Sequence, residues 1–425
     1  MKIYFESYGC TLSRSESALY VNGMMKDGDT IVQRPEDADL SVIGTCVVVR
    51  HTEEKMLNRI DDLSSKSKVK VLGCLPTVTG NQISSDSIEM LTPREMHSLY
   101  TGKMDDIQIR EPSIFDGIPI NQGCTGNCNY CISRVARGKL VSRKPEKIVN
   151  QVRIQLERGI REVRISSLDT AAYGKDLGTG LPSLVSDITS IDMDFKLRIG
   201  MMEPKNTTGI LDPLMDSMKN NKVFKFIHVP VQSGDDRILE LMNREYQAED
   251  FATITSTFRQ NFPDSTLSTD IISGYHDEDH ESFENTVKLI ERTKPDIINI
   301  TRFSPRPYTA DFNSKIPGTN PVKEWTRFYT EMHRDILQKK LASIVGKVES
   351  VFITEKGKSG TWVGRDHAYR SVVVGGDQRM YSTIDVEIVD TGPTYLVGSV
   401  IHGLQQMIRK DPFPGEGVNC EHFSG

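Results

Sequence analysis

Short apolar strands alternate with helical stretches through most of this chain, and that alternation restricts its fold more than any other feature. In the first part, the strand-like segments IYFESYG, DLSVIG and VKVLG are separated by predicted helices over residues 15–27 and 52–64. Strands that alternate with helices form parallel sheets, with ligands bound at the carboxyl ends of the strands. The sequence therefore predicts an α/β protein that begins with a parallel α/β domain over residues 1–110.

The linker REPSIFDGIPI leads into a second predicted domain over residues 111–342, in which the alternation resumes with longer units. The candidate strands are IPINQG, EVRISS, FKLRIGMM, FKFIHVPV, STLSTDIISG and IINITRF, and helical segments lie between them. Units of this kind build a (β/α) barrel whose functional residues lie at the carboxyl ends of the strands. We expect a full or partial barrel here.

The composition changes from about residue 344, where Val, Ile, Thr and Tyr dominate and glycine or Asp-Thr-Gly turns recur at short intervals. This pattern predicts a small antiparallel β-barrel of about five strands over residues 343–403. Residues 404–425, with two prolines and three glycines, are expected to form a loose tail.

Three of the seven cysteines, Cys10, Cys46 and Cys74, lie beside or one residue from a glycine at the end of a predicted strand. Their positions place them at one edge of the first sheet. Clustered cysteines in a large cytosolic chain are more often metal or redox ligands than disulfides, and an odd count argues against complete pairing. The N-terminus reads as a strand and not as a signal peptide, so we expect a cytoplasmic protein. Cys420 is expected to be incidental.

The segment CTGNCNYC places Cys124, Cys128 and Cys131 at a spacing of four and three residues. A zinc site would need a fourth ligand from elsewhere, and plain buried thiols are the other simple reading. The alternative is an iron–sulfur cluster in which three thiolates hold three irons, so that the fourth iron is open to a small molecule.

This segment, with Tyr130 before the last cysteine, resembles the signature of the radical S-adenosylmethionine enzymes. The narrower resemblance is to the methylthiotransferases, and it covers nearly the whole chain. It implies a [4Fe-4S] cluster on Cys124, Cys128 and Cys131, and an auxiliary [4Fe-4S] cluster on Cys10, Cys46 and Cys74. It further implies that one S-adenosylmethionine supplies the methyl group and a second supplies the radical. An electron donor such as a ferredoxin or flavodoxin is expected as a partner.

Further stretches that resemble this family are SSLDTAAYG, RIGMMEP, HVPVQSGDDRILELMNREY, STDIISGY and RFSPRP, and the C-terminal barrel resembles its RNA-contacting TRAM domain. The chain departs from the family pattern at Ser13 and Gly44, where asparagine is usual, and at GYHDE over residues 274–278, where GFPGE is usual. None of these departures removes a cluster ligand.

The resemblance also suggests which side chains receive S-adenosylmethionine. Asp169 and Thr170 follow the second strand of the predicted barrel, although Asp-Thr is also a good helix start. Arg198 is a candidate for the cosubstrate carboxylate, although an arginine beside a strand is usually solvated. Gln232 and Ser233 are candidates for the adenosine, Tyr130 lies within the cluster loop, and His228 is expected to be a hydrogen-bonded core histidine. No catalytic residue is predicted beyond the cluster ligands.

A basic run follows the cluster loop. The segment SRVARGKLVSRKPEK contains Arg134, Arg137, Lys139, Arg143, Lys144 and Lys147 against one acidic residue. A charge run is usually a solvated face. Because the net charge of the chain is −6, a local basic rim at this position is also the footprint expected for RNA.

The resemblance to the methylthiotransferases implies an enzyme that inserts sulfur into an unactivated C–H bond and caps it with a methyl group. The resemblance of VFITEKGKSGTWVGR and FSPRP to the archaeal and eukaryotic branch of the family favours N6-threonylcarbamoyladenosine next to the tRNA anticodon as the substrate. Isopentenyl-adenosine in tRNA and an aspartate of a ribosomal protein are the alternative substrates. An iron–sulfur sensor that binds RNA without turnover is the non-enzymatic alternative.

Overall fold

The computed structural model describes residues 1–48, 50–79, 85–100, 107, 109–114 and 117–401. The predicted tail, with Cys420, lies outside these residues. The first strands are β1 (Lys2–Ser7), β2 (Thr30–Val32), β3 (Leu40–Thr45), β4 (Lys68–Gly73) and β5 (Ile88–Leu91). They alternate with the helices α1 (Thr11–Met24), α2 (Arg50–Ser64), α3 (Leu75–Thr79) and α4 (Pro93–Tyr100).

These strands form one parallel sheet in the order β2-β1-β3-β4-β5. The central strand β3 has the sequence LSVIGT, and all of its residues after the first are buried. A strand buried on both faces needs a nearly continuous run of apolar or small residues, which this segment supplies. The predicted parallel α/β fold is confirmed here.

The middle of the chain contributes the next eight strands. They are β6 (Ile118–Pro119), β7 (Asn121–Gln122), β8 (Val141–Ser142), β9 (Glu162–Ser166), β10 (Lys196–Ile199), β11 (Phe226–His228), β12 (Thr266–Ser273) and β13 (Ile297–Arg302). The helices are α5 (Ile132–Arg137), α6 (Pro145–Glu157), α7 (Leu181–Thr189), α8 (Pro204–Thr208), α9 (Leu211–Met218), α10 (Asp236–Leu241), α11 (Ala248–Asn261), α12 (His280–Thr293) and α13 (Thr319–Ala342).

The core strands form two parallel three-stranded sheets, in the orders β10-β9-β6 and β11-β12-β13. One parallel bridge, between Leu197 and Val223, links the two sheets. The side chains that face the surrounding helices share with those helices one buried cluster that includes Ile165, Leu197 and Leu267. The arrangement is a partial barrel, one of the two forms that the sequence predicts.

The last strands are β14 (Val348–Lys356), β15 (Trp362–Arg365), β16 (Ser371–Val374), β17 (Thr383–Thr391) and β18 (Leu396–Val400), and they close into a barrel in the order β14-β15-β16-β18-β17. The predicted five-stranded barrel is confirmed, but its purely antiparallel form is wrong. β16 and β18 pair in parallel, whereas the other four pairs are antiparallel. An odd number of strands in a closed ring cannot alternate in direction throughout, so at least one pair must be parallel.

This small barrel contacts the amino ends of the core strands. The amide of Lys225, just before β11, donates to the carbonyl of His367 over 2.8 Å. Arg370 donates to both carboxylate oxygens of Asp264 over 2.6 and 3.0 Å, and the Tyr369 hydroxyl donates to Glu162 at the start of β9 over 3.0 Å. The carboxyl ends of the core strands therefore remain available for a site. Among the described residues, no helix is long and apolar enough to cross a membrane.

Candidate functional site

Three cysteines from separate strands meet at the carboxyl edge of the N-terminal sheet. Cys10 directly precedes α1, Cys46 directly follows β3, and Cys74 directly follows β4. β1, β3 and β4 are neighbours in the sheet, and the pairs Ser7–Gly44 and Thr45–Gly73 show that their ends are level. We call Cys10, Cys46 and Cys74 the auxiliary trio.

A close backbone approach and a side-chain hydrogen bond hold the loops of the auxiliary trio together. Gly9 has φ of +104°, and a Cβ atom there would lie 2.7 Å from the Cβ of Cys46. Only glycine adopts this backbone conformation without strain and leaves that space free. The Ser13 hydroxyl donates to the carbonyl of Thr45 over 3.1 Å, so a residue that departs from the family pattern has a structural role beside Cys46.

The other three cysteines lie on one loop between β7 and α5, and we call Cys124, Cys128 and Cys131 the radical trio. A Cβ atom on Gly126 would lie 3.5 Å from the sulfur of Cys124 and 3.6 Å from that of Cys128, so these two thiols flank the glycine. The amide of Gly126 donates to the sulfur of Cys124 over 3.2 Å. Cys131 is the residue before α5. Local loop geometry alone brings this trio together.

Arg244 is the closest charged partner of the radical trio in the described part of the chain. Its Nη1 donates to the sulfur of Cys128 over 2.9 Å, and its Nε donates to the Tyr246 hydroxyl over 2.9 Å. The same guanidinium lies 3.4 Å from the carboxylate of Glu203. Donation of N–H groups to sulfur is the outer contact that metal-bound thiolates receive in iron–sulfur proteins.

The chemistry of the donor set fits a soft metal centre at both trios. Burial raises the pKa of Cys124 and that of Cys74 to about 12, and it also raises the pKa of Cys46 and Cys131. Buried thiols of this kind stay protonated at neutral pH unless a cation replaces the proton. Thiolate ligands select zinc, copper(I) or iron–sulfur clusters, so an iron–sulfur cluster fits each trio.

One cavity of about 490 Å³ is lined by the radical trio and by one member of the auxiliary trio. All three thiols of the radical trio line it, and so does Cys10 of the auxiliary trio. The opposite wall comes from the ends of the core strands and includes His228, Asp270 and Asn299. This volume lies within the range of small-molecule sites in proteins.

Four of the predicted cosubstrate residues line this cavity, namely Tyr130, Asp169, Arg198 and Gln232. Gln232 has φ of +70°, an uncommon conformation for a residue other than glycine, and such conformations cluster at functional sites. The guanidinium of Arg198 stacks on the rings of Phe226 and Tyr369, 4.7 and 5.1 Å from their centroids. Contacts between these four residues and the cosubstrate stay predictions.

The other two predicted cosubstrate residues are corrected by the structure. Thr170 and Ser233 are buried behind the cavity wall. The Thr170 hydroxyl donates to the carbonyls of Gly200 and Met201 over 3.2 and 3.0 Å, and that of Ser233 accepts from the amide of Asp235 over 3.2 Å. Both side chains satisfy backbone groups of the loops instead of facing the cavity.

Asp169 holds the loop that carries Glu203. One carboxylate oxygen accepts from the amides of Ala171 and Glu203 over 3.1 and 2.9 Å, and the other accepts from the side chain of Asn206 over 2.6 Å. Burial raises the pKa of Asp169 to about 6. A Cβ atom on Gly126 would lie 4.0 Å from the Glu203 carboxylate, so Asp169 positions a second carboxylate beside the radical trio.

Sequence reasoning missed Glu203 and Arg244 as site residues, although both lie within stretches that resemble the family. Glu203 follows the core strand β10, and Arg244 follows α10 in the connection after β11. Their positions in connections that follow core strands were the sequence signal that could have identified them. The Nε2 of His228 donates to a carboxylate oxygen of Asp270 over 2.8 Å. The expected hydrogen bond of His228 is present, although its ring lines the cavity instead of lying within the core.

The predicted basic rim is only partly exposed. Lys139 and Lys144 are exposed, and Arg134 is half-buried with its Nε donating to the carbonyl of Gly126 over 3.0 Å. Arg137 and Arg143 are buried, at 1% and 2% relative exposure. The prediction that these two arginines contact RNA is therefore wrong, because α5 and the following strand turn both side chains into the protein.

Comparisons with known proteins agree with this architecture. Residues 118–290 match the radical SAM superfamily, and residues 2–91 match the uncharacterized protein family UPF0004. The chain is 34% identical to the probable threonylcarbamoyladenosine tRNA methylthiotransferase of Pyrococcus horikoshii, over 94% of this chain and 100% of that protein. It is 29% identical to a tRNA-2-methylthio-N(6)-dimethylallyladenosine synthase of Thermosipho melanesiensis, over 93% of this chain and 98% of that protein.

Among solved structures, the radical S-adenosylmethionine methyltransferase TsrM of Kitasatospora setae, with cobalamin and a [4Fe-4S] cluster bound, has a similar fold. The TM-score is 0.52 at 11% sequence identity, and the match covers 82% of this chain and 80% of that one. At this identity the likeness shows the fold alone.

Proposed function

This chain belongs to the tRNA methylthiotransferases of the radical SAM superfamily, and we propose on that premise that it converts N6-threonylcarbamoyladenosine in tRNA to the 2-methylthio derivative. It is an enzyme that transfers a sulfur-containing group to tRNA. The adenosine next to the anticodon is the proposed site of modification. We also propose that the reaction uses two [4Fe-4S] clusters and two molecules of S-adenosylmethionine.

One observation carries this proposal. Cys10 of the auxiliary trio lines the same cavity as the three thiols of the radical trio. A reaction that activates a C–H bond and then delivers sulfur to it needs both centres to face one substrate, because the substrate radical must be captured before it reacts with anything else. A sensor that only bound RNA would have no use for a cavity lined by the radical trio together with Cys10 of the auxiliary trio.

When bound, the cluster of the radical trio would supply the electron that cleaves S-adenosylmethionine, and the cluster of the auxiliary trio would hold the sulfur atom that receives the methyl group. The chain's own residues bind and orient the reactants. The Glu203 carboxylate beside Cys124 and Cys128 is positioned to accept from the amino group of S-adenosylmethionine. Asp169 fixes the amide of Glu203, and Arg244 contacts both the Glu203 carboxylate and the sulfur of Cys128.

The exposed residues Lys139 and Lys144, together with Arg134, form the proposed RNA-contacting rim. Each phosphate contact that is lost reduces the slope of log K against log salt by roughly 0.7 to 0.9. The double substitution Lys139→Gln/Lys144→Gln should weaken tRNA binding and flatten its salt dependence. Lys219→Gln, an exposed lysine paired with Asp216 at 2.7 Å, is the matched control and should leave the slope unchanged.

The test of the function itself is a reaction of the anaerobically reconstituted protein with tRNA that carries threonylcarbamoyladenosine or isopentenyl-adenosine. Mass spectrometry of the nucleosides should show a methylthio gain on the first and none on the second. The variant Cys124→Ala/Cys128→Ala/Cys131→Ala should show none on either. A gain on the isopentenyl nucleoside, or on a ribosomal-protein aspartate, would replace the substrate, and binding without any product would favour the RNA-binding sensor.

Three finer points belong to the same proposal. We infer that a ferredoxin or flavodoxin donates the electron, and that the enzyme acts in the cytoplasm. We also infer a division into residues 1–110, 111–342, 343–403 and 404–425. The matched families, at residues 2–91 and 118–290, support the first two of these divisions.

A further inference from the structure

Arg137 is a fully buried cation with most of its donors unused. Its side chain has 0% relative exposure, and Nη1 donates to Glu16 over 2.7 Å and to the side-chain carbonyl of Gln122 over 3.2 Å. Nε and Nη2 have no hydrogen-bond partner among the described residues. Buried polar groups are almost always paired, so these two donors need an acceptor, and the thiol of Cys74 is the nearby group on which Arg137 acts through hydrogen bonding.

The surroundings of Arg137 indicate where that acceptor lies. Arg137 ends α5, and α5 packs on the helix that follows Cys74, where the Thr77 hydroxyl donates to the carbonyl of Ala136 over 3.3 Å. Cys74 and Ala136 belong to one buried cluster. Glu16, the partner of Arg137, is on α1, which begins directly after Cys10. The guanidinium therefore lies among the elements that carry the auxiliary trio.

The electrostatics agree with this placement. Burial raises the pKa of Cys74, and the positive charge of Arg137 opposes that rise. The charges of both Cys74 and Cys10 act in turn on Arg137. A buried guanidinium needs compensation, which Glu16 supplies, and Cys74 and Cys10 are the other groups whose charge acts on Arg137.

We propose that Arg137 donates through Nε and Nη2 to sulfur atoms of the centre bound by the auxiliary trio, and that it supplies the positive charge that offsets this centre. The inference rests on the proposed auxiliary cluster. Glu16 and Gln122 hold Nη1 and so fix the plane of the guanidinium, which leaves its other edge for the sulfur atoms. Arg137 is then a residue that positions and tunes the cluster.

This role has a measurable consequence that a purely structural ion pair lacks. Hydrogen bonds to sulfur and nearby positive charge stabilise the reduced, more negative state of an iron–sulfur cluster, so they raise its reduction potential. If Arg137 only joined the N-terminal sheet to α5 through Glu16, its replacement would change the stability of the fold and leave the potential of a folded, loaded cluster where it was.

The experiment uses the full chain with Cys124→Ala/Cys128→Ala/Cys131→Ala as the parent, so that only the auxiliary trio can bind a cluster. Into this parent we introduce Arg137→Lys, which keeps the charge that Glu16 needs, and Arg137→Gln. Arg153→Gln, an exposed arginine on α6, is the matched control. The midpoint potential is measured by a redox titration followed by electron paramagnetic resonance.

The expected result is a shift to a more negative potential in Arg137→Gln, a smaller shift in the same direction in Arg137→Lys, and none in Arg153→Gln. In protein labelled with 15N at arginine, the reduced cluster should show a nitrogen coupling that Arg137→Lys abolishes and Arg153→Gln retains. If Arg137→Gln does not fold, the comparison of Arg137→Lys with the parent and with Arg153→Gln tests the proposal.

An unchanged potential together with an unchanged nitrogen coupling in Arg137→Lys would overturn the proposal and leave the ion pair with Glu16 as the whole role of this residue. Failure of the parent chain to bind any iron is a different result, because it would remove the auxiliary cluster on which the proposed function depends. The two failures are therefore told apart by the iron content of the parent.

Discussion

The two cysteine trios are brought together in different physical ways. The radical trio is local, since Cys124, Cys128 and Cys131 lie on one loop between β7 and α5. The auxiliary trio is tertiary, because Cys10, Cys46 and Cys74 follow three neighbouring strands whose ends are level only when the sheet has formed. A local site depends on loop geometry, whereas a tertiary site depends on the register and packing of a whole sheet.

The largest expected effect separates the chemistry of the two trios. The variant Cys124→Ala/Cys128→Ala/Cys131→Ala should form no 5′-deoxyadenosine, because nothing remains to deliver an electron to S-adenosylmethionine. The variant Cys10→Ala/Cys46→Ala/Cys74→Ala should still form it but should yield no methylthio product. Both products are measured in the same reaction by mass spectrometry. Equal loss of 5′-deoxyadenosine in both variants, with the fold and the remaining cluster intact, would contradict the proposed difference in role between the two trios.

The next effect concerns the partner of the radical trio. Arg244→Gln removes the donor to Cys128 and the charge beside Glu203, so cleavage of S-adenosylmethionine should slow by about 10- to 100-fold, as is usual when an outer partner of a metal ligand is lost. The control is Arg237→Gln on the nearby helix α10, whose ion pair with Asp279 at 2.9 Å is exposed. An Arg244→Gln rate equal to that of the control would contradict this role.

Backbone geometry gives a matched test of the auxiliary trio. Gly9 and Gly28 both have positive φ, at +104° and +89°, but only at Gly9 would a Cβ atom meet another residue, 2.7 Å from the Cβ of Cys46. Gly28→Ala should cost about 1 kcal/mol from the backbone conformation alone. Gly9→Ala should cost roughly 2 kcal/mol or more, because the contact with Cys46 adds to that strain.

Chemical unfolding measures the free energies, and an iron assay shows whether Gly9→Ala also lowers the iron held by the auxiliary trio. The radical trio should keep its iron in both variants, because neither glycine lies on its loop. If Gly9→Ala behaved like Gly28→Ala in both measurements, the close approach of the Cys10 and Cys46 loops would be irrelevant to the site.

The smallest effect lies at the opposite end of the core, where the C-terminal barrel docks. Hydrogen bonds to Asp264 and then Glu349 raise the pKa of His367 to about 10. Its unfolded value is about 6.5, so the contribution to stability is fully present below pH 6.5 and is lost as the pH rises through about 10. Because His367 is 44% exposed, solvent screening limits the effect to about 1 kcal/mol at most.

The test compares the free energy of unfolding of the wild type with that of His367→Gln at pH 6.5 and pH 10.5. The difference should shrink at the higher pH, while His280→Gln, an exposed histidine on α12, should show no such trend. Iron content at both trios should be the same in all three proteins. A difference that stays constant between the two pH values would rule out the titration of His367 as its cause.

The same contrast between local and tertiary explains what the sequence could predict. The spacing of Cys124, Cys128 and Cys131 is a local pattern that the sequence shows directly. A cysteine that follows an apolar strand can be assigned to a sheet edge. Both trios could therefore be predicted from the sequence. The paired contacts of Arg244 and Glu203 join separate connections of the core, and no single stretch of sequence contains both. Their site role was therefore missed.

The basic run after the radical trio shows what a pattern of charges in the sequence does not predict. Arg137 and Lys139 look alike in a list of charges, yet α5 directs Arg137 into the protein toward Glu16 and leaves Lys139 in solvent. A charge run reveals net charge but not which side chains point inward, because that depends on the partner on another element. In this run the buried members are Arg137 and Arg143.

The central claim is that three separate strand ends build a second cluster site, and the iron content of the chain without its radical trio tests it most directly. We take each trio to hold one four-iron cubane, so the wild type should bind about eight irons per chain. The variant Cys124→Ala/Cys128→Ala/Cys131→Ala, reconstituted without oxygen, should retain about four of them. A folded variant that retains none, or that binds zinc in place of iron, would contradict the account.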